Sequence, residues 1–122
     1  MNIARFLFFS LFFYSIVWAT ADGPDFWKVD NVASNDVLNV RANSSWKSQN
    51  VGEIPFNGVC LHNLECVGGL TMQEIMHLSE SQKATLRQKR PKWCKVKYKQ
   101  IIGWVSSRYL REGQDPHCYE KE

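Results

Sequence analysis

Past Trp18 this chain of 122 residues has no apolar run long enough to cross a bilayer as a helix. It has no Cys-x-x-Cys pair, no Gly-rich phosphate loop and no Gly-x-Ser-x-Gly elbow. Each absence removes a class of function. The cysteine spacings match no common zinc pattern, Gly68-Gly69 alone reads as a turn, and no strand-turn-helix nucleophile is signalled. A Cys–His hydrolase needs a free thiol beside a histidine. Here His62, His77 and His117 fall in a strand end, a helix and a tail, without an evident partner acid. Net charge is also nearly absent, at +3 overall. Such a mild balance gives no nucleic-acid footprint. The sequence therefore predicts no enzyme, no metal, no cofactor and no nucleic-acid partner.

What is present begins with an export pattern. Met1 to Arg5 carries one positive charge, Phe6 to Trp18 is apolar apart from two serines, and Ala19-Thr20-Ala21 has the small-x-small form of a cleavage site. This is the layout of a secretory signal peptide over residues 1–21. The apolar run would span only about 20 Å as a helix at about 1.5 Å per residue, short of a hydrocarbon core of about 30 Å. The expected mature chain starts near Asp22, is periplasmic or extracellular, and is a monomer. Without Arg5 it carries 14 Lys and Arg against 12 Asp and Glu.

Cys60, Cys66, Cys94 and Cys118 make an even count, which in an exported chain of this size reads as a disulfide framework. Four cysteines allow three pairings, and spacing alone does not choose among them. The expected pairing is Cys66–Cys94, pinning the ends of a polar, helix-like insertion, with Cys60–Cys118 holding the tail. A loop of the first kind is worth about 3–4 kcal/mol in the chain-entropy model.

Most of the remaining signals are β. Phe26 to Asp30 alternates weakly, and Val37 to Ala42 forms a strand broken by Asn43-Ser44-Ser45, which also reads as a glycosylation sequon. Val51 to Pro55 and Val59 to Leu64 are predicted to form a hairpin around Asn57-Gly58. Trp93 to Lys99 and Ile101 to Ser106 form a second around Lys99-Gln100. Lys95, Lys97 and Lys99 should share one face of their strand, with Val96 and Tyr98 on the other. Lysines so placed would guard an outer strand, and they belong to a run from Arg87 to Lys99 that holds no acid. Two capping boxes, Thr71-x-x-Glu74 and Ser79-x-x-Gln82, predict short helices over 71–78 and 79–88 with Pro91 as a stop. Met72, Ile75 and Met76, with Leu78 as a fourth member of the stripe, should pack on the β core, and Lys83 and Arg87 should face outward.

The segments Leu38-Asn39-Val40-Arg41, Val51-Gly52-x-Ile54 with Gly58, Trp93-Cys94-Lys95-Val96, and Gly103-Trp104-Val105 through Tyr109-Leu110 occur in that order. Together they resemble the signatures of the bacterial SH3-like (SH3b) domain family, over roughly Trp27 to Glu112. Two features depart from the pattern: Asn43-Ser44-Ser45 replaces a Gly-Pro-Ser type of turn, and the insertion is longer than in the shortest members. The resemblance implies a mainly β fold, a small SH3-like barrel of about five strands. It would occupy 22–112, carry the helical insertion at about 67–92 and be followed by a tail over 113–122. It also implies a binding module for cell-wall (peptidoglycan) peptide or another envelope component. The alternative is an interaction or inhibitory partner of an envelope protein, docking through the insertion and the basic strip. Trp46, set among polar residues after a turn, is the first candidate for ligand contact, flanked by Arg41 and Tyr98. Trp27, Trp93 and Trp104 fall in or beside strands and are assigned to the core.

Overall fold

The computed structural model describes residues 23–113 and 115–119. The expected signal peptide and the start of the mature chain lie outside them. Among these residues the fold is mainly β, with seven strands and two α-helices in the order β1 (Phe26–Val29), β2 (Val37–Arg41), β3 (Asn50–Pro55), β4 (Leu61–Val67), α1 (Met72–His77), α2 (Glu80–Lys89), β5 (Trp93–Tyr98), β6 (Ile101–Ser106) and β7 (Leu110–Glu112). All pairings are antiparallel, and the strands lie in one sheet in the order β3-β2-β6-β5-β4-β1-β7.

The sheet is open, since its edge strands β3 and β7 are not paired, but it curls around a single core. Alternation places Leu38 and Val40 of β2, Ile54 of β3, Leu61 of β4, Cys94 and Val96 of β5 and Val105 of β6 on the concave side. They join Trp27, Val29 and Leu110 in one cluster to which every strand contributes. The curl brings the turn after β3 back to β1, where the Val29 amide donates to the Gly58 carbonyl at 2.9 Å.

Seven strands replace the expected five or so. β1 falls on the weakly alternating Phe26 to Asp30 segment, and the unanticipated strand is β7, which pairs with it from Trp27↔Glu112 to Val29↔Leu110. β7 has one apolar residue in three, too little alternation to be seen in advance. β1 is buried on both faces. Trp27 and Val29 enter the core, while Phe26 is covered by His62 (ring centroids 4.7 Å apart) and by Tyr119 edge-on at 4.9 Å. The tail therefore packs on the sheet. Its 3-10 turn at Pro116–Tyr119 is fastened by the Cys60–Cys118 disulfide and by Tyr119 Oη donating to Asp25 at 3.1 Å.

The predicted hairpin of β3 with β4 does not form. β3 turns at Pro55–Gly58, whose amide and carbonyl close a tight turn at 2.9 Å. The chain then crosses the end of the sheet, with Cys60 in the left-handed region at φ 61°, and β4 pairs with β5 and β1. β3 pairs instead with β2, from Val37↔Pro55 to Arg41↔Asn50. The second predicted hairpin forms around Lys99-Gln100, with Lys99 at φ 53°. The lysines of β5 face outward and Val96 inward, as the alternation predicts. β5 is an inner strand, however, so its lysines do not guard an edge.

Both disulfides have the expected pairing. Cys66 and Cys94 are directly opposite on β4 and β5, closing the base of the helical insertion. Both capping boxes are formed, Thr71 with Glu74 and Ser79 with Gln82. The orientation of the helices differs from expectation. Glu74 turns inward to pair with Arg90 at 2.8 Å, and Leu78, one turn on, shares that half-buried side. Met72 and Met76 are consequently two-thirds exposed, and Ile75 is exposed as well. Lys83 tucks inward, its ammonium 2.9 Å from Glu80 and 3.4 Å from the Ile75 carbonyl at the end of α1.

Candidate functional site

A groove of about 550 Å³ runs along one end of the sheet, between the loop before β2, the loop after it, and the outward side of β5 and β6. That volume falls within the usual range of small-ligand sites, about 300–1,000 Å³. Its construction begins with Arg41, the last residue of β2. The half-buried guanidinium donates from Nη1 to the Ser48 carbonyl at 3.3 Å and so braces the following loop.

The loop itself is tied by its small polar residues. The Ala42 amide reaches the Gln49 carbonyl at 2.8 Å, and the Ser48 hydroxyl accepts from the Asn43 amide at 3.1 Å. That hydroxyl also lies 2.7 Å from the Ser45 carbonyl, and Ser45 Oγ accepts from the Lys47 amide at 3.1 Å. These bonds consume the backbone groups around Trp46 and hold it at the tip. The residue is 68% exposed, with the Lys47 ammonium 5.5 Å from its ring centroid. A large aromatic surface left in water on a tied loop forgoes its burial energy, about 1.5–3 kcal/mol for a large side chain. It is available to a ligand with little further ordering cost.

The facing wall comes from elements that are distant in sequence. Trp93 opens β5 on its outward side, and Tyr109 ends the turn after β6, with the Arg108 guanidinium 5.6 Å from its ring centroid. The loop before β2 is joined to this wall by Asn31 Nδ2 donating to the Arg108 carbonyl at 3.2 Å and by the Asp30 amide donating to the Tyr109 carbonyl at 2.8 Å. Val32 and Val37 supply apolar lining, while Asp36, Arg41 and Arg108 give mixed charge.

Of the sequence candidates, Trp46 and Arg41 line this groove together. Tyr98 does not; it sits at the far end of β5 against the core. Trp93, expected in the core, instead lines the groove, partly exposed, since alternation puts it opposite Cys94. Trp104, likewise assigned to the core, is only half-buried on the outward side of β6, while Trp27 is in the core. Tyr109 belongs to the Tyr-Leu ending of the fold signature, which carries only a weak signal for a binding role.

The chemistry outside the groove is limited. His117 lies 3.5 Å from Cys60 Sγ through Nε2 and 3.9 Å from Asp115 through Nδ1. With Cys60 bonded to Cys118, this grouping holds no thiolate to act as nucleophile or metal ligand. Three groups have perturbed titration. The Thr71 backbone amide, and then the Arg90 guanidinium, hold Glu74 below its ordinary value. The hydrogen bond to Lys83 lowers Glu80. Burial, with the bond to Asp25, raises Tyr119. None of these lines the groove. No helix among the described residues is long and apolar enough to cross a membrane.

Compared with protein-family models, curated proteins and solved structures, the chain gives no match.

Proposed function

We propose that this chain is an exported, non-catalytic binding module of SH3-like fold that recognises cell-wall peptide or another envelope component. The observation that carries the reading is the groove itself: an exposed tryptophan held on a hydrogen-bonded loop opposite Trp93 and Tyr109. Aromatic walls with mixed charge suit an extended peptide, whose backbone and side chains present both polar and apolar surface. Two further observations support the SH3-like assignment. The Leu-Asn-Val-Arg and Gly-Trp-Val segments are neighbouring strands joined at Arg41↔Trp104, and the curled sheet turns back on β1 at Val29. Export is supported by the two disulfides, which persist in oxidising compartments. Purified peptidoglycan should retain the mature protein, and Trp46→Ala should abolish retention. Equal retention of the variant would remove the groove from the account.

One observation favours a second reading, in which the insertion docks on an envelope protein. Met72, Ile75 and Met76 form an exposed apolar stripe on α1, and such stripes commonly mark protein contacts. On that reading Met72→Ser/Met76→Ser would lose a co-purifying envelope protein, and the wall would retain nothing.

A further inference from the structure

Beside the groove lies a second pocket of about 700 Å³, between the glycine turn after β4, the end of α2 and the turn after β6. The two are contiguous: Pro91, Ser106 and Arg108 line both. Their chemistry differs. The groove is walled by aromatic rings, whereas the second pocket combines apolar lining from Leu70, Ile75 and Pro91 with Arg87, Arg90, Lys92 and Arg108, and no carboxylate lines it. Arg90 is offset by Glu74 at 2.8 Å. Among the described residues, Arg87, Lys92 and Arg108 have no carboxylate within 4.0 Å.

The local backbone fixes this arrangement. Gly68 and Gly69 are both in the left-handed region, at φ 82° and 80°, and a Cβ on Gly68 would stand 2.4 Å from the Pro91 carbonyl. The end of β4 therefore lies directly against the Pro91-Lys92 segment. The Ser107 amide donates to the Lys92 carbonyl at 2.9 Å and sets the Arg108 turn beside the same segment. Three exposed cations thus line one concavity, and of these Arg87 also feels an acidic neighbour, Glu80, whose carboxyl its charge helps to lower. Cations so placed repel one another and favour an anionic occupant.

We propose that groove and pocket form one bipartite site for an acidic peptide: an aromatic or apolar side chain lies against Trp46, Trp93 and Tyr109, and carboxylates of the same chain enter the pocket at Arg87, Lys92 and Arg108. The proposal rests on the reading of the groove as a peptide site and adds the charge of its ligand. Carboxylate recognition by guanidinium groups is directional and bidentate, so the pocket supplies selectivity as well as affinity.

The test uses two acetylated, amidated peptides of one length, Tyr-Pro-Ser-Gly-Glu-Glu-Glu and its counterpart with three glutamines, titrated at low salt into the isotope-labelled mature protein. The glutamate peptide should bind at least tenfold more tightly, and it alone should shift the amides of Gly68, Gly69 and Ser107. Arg87→Gln/Lys92→Gln should erase the difference between the peptides while leaving the glutamine peptide's affinity unchanged. Trp46→Ala should weaken both. Equal binding of the two peptides, or a glutamate preference that survives Arg87→Gln/Lys92→Gln, overturns the bipartite site and leaves the groove standing. If neither peptide moves the amides of 43–48, the reading of the groove fails, and the proposal fails with it.

Discussion

Replacing Gly103 with alanine should loosen the sheet at the junction of its two signature strands. A Cβ at this position would lie 2.7 Å from the Arg41 carbonyl oxygen and 2.6 Å from Val40 Cγ1. Val40 is fully buried, so its side chain has nowhere to swing. The carbonyl belongs to the β2 backbone, which meets β6 at Arg41↔Trp104. Ordinary contact begins at 3.4 Å, so β2 must retreat by about 0.7 Å to relieve the overlap. Overpacking in a close-packed interior costs about 1–3 kcal/mol, and losing a strand glycine returns about 0.5–1 kcal/mol. A net loss of about 1 kcal/mol lowers the melting temperature of a domain this size by about 4–8 °C. Thermal denaturation followed by circular dichroism measures this directly. Gly113→Ala is a suitable control, because its Cβ would stand 3.3 Å from the Trp27 backbone and needs only a slight adjustment. If Gly103→Ala melts no lower than Gly113→Ala, the close approach of β2 to β6 does not explain the glycine.

Further outcomes can be checked on the same protein. Thiol titration after denaturation without reductant should find no free cysteine, and Cys60→Ser/Cys118→Ser should cost more than Cys66→Ser/Cys94→Ser. With sequence separations of 58 and 28, the chain-entropy model gives about 4.2 and about 3.6 kcal/mol. Glu74 titrates below its ordinary 4.5 because the Thr71 amide and Arg90 favour its charged form. Its contribution to stability is therefore complete above that value and is lost as pH falls through the depressed one. Glu74→Gln should accordingly flatten the acid limb of a stability–pH curve, and an unchanged limb would contradict the pairing. Tyr119 is shifted the opposite way, above 10.0, by burial and by Asp25. Its stabilising share is present below pH 10 and is lost as pH rises through the raised value. Asp25→Asn should lower the last step of an ultraviolet phenol titration, and an unmoved step would show that the tail is not seated on β1.

How far the sequence could be read depended on the range of the interaction. Local chemistry was legible. Thr71 and Ser79 cap their helices as their spacing predicts, Lys99-Gln100 turns its hairpin, and the cysteines that bracket the insertion are joined. Pairings set by tertiary contacts were less so. Asn57-Gly58 has the residues of a hairpin turn, yet the chain beyond it crosses to β1, because Val29 and Gly58 hydrogen-bond across the closing sheet. The apolar stripe on α1 was visible, but its direction was set by Glu74, whose bond to Arg90 joins residues sixteen positions apart. In the candidate site, Trp46 and Arg41 were accessible because a turn and a strand end place them locally. Trp93 was misassigned since an aromatic residue in a strand has two faces to choose from. Its face follows from Cys94 pointing inward to meet Cys66, a fact that resides in the pairing of β4 with β5.

The position of a bound ligand is the most direct test of the groove. Soluble fragments of digested peptidoglycan, titrated into isotope-labelled mature protein, would report this through backbone amide shifts. The largest changes should fall at 42–49, at Trp93 and at Tyr109, and they should vanish in Trp46→Ala. Changes centred on α1 at 72–77, or no saturable change at all, would contradict the account.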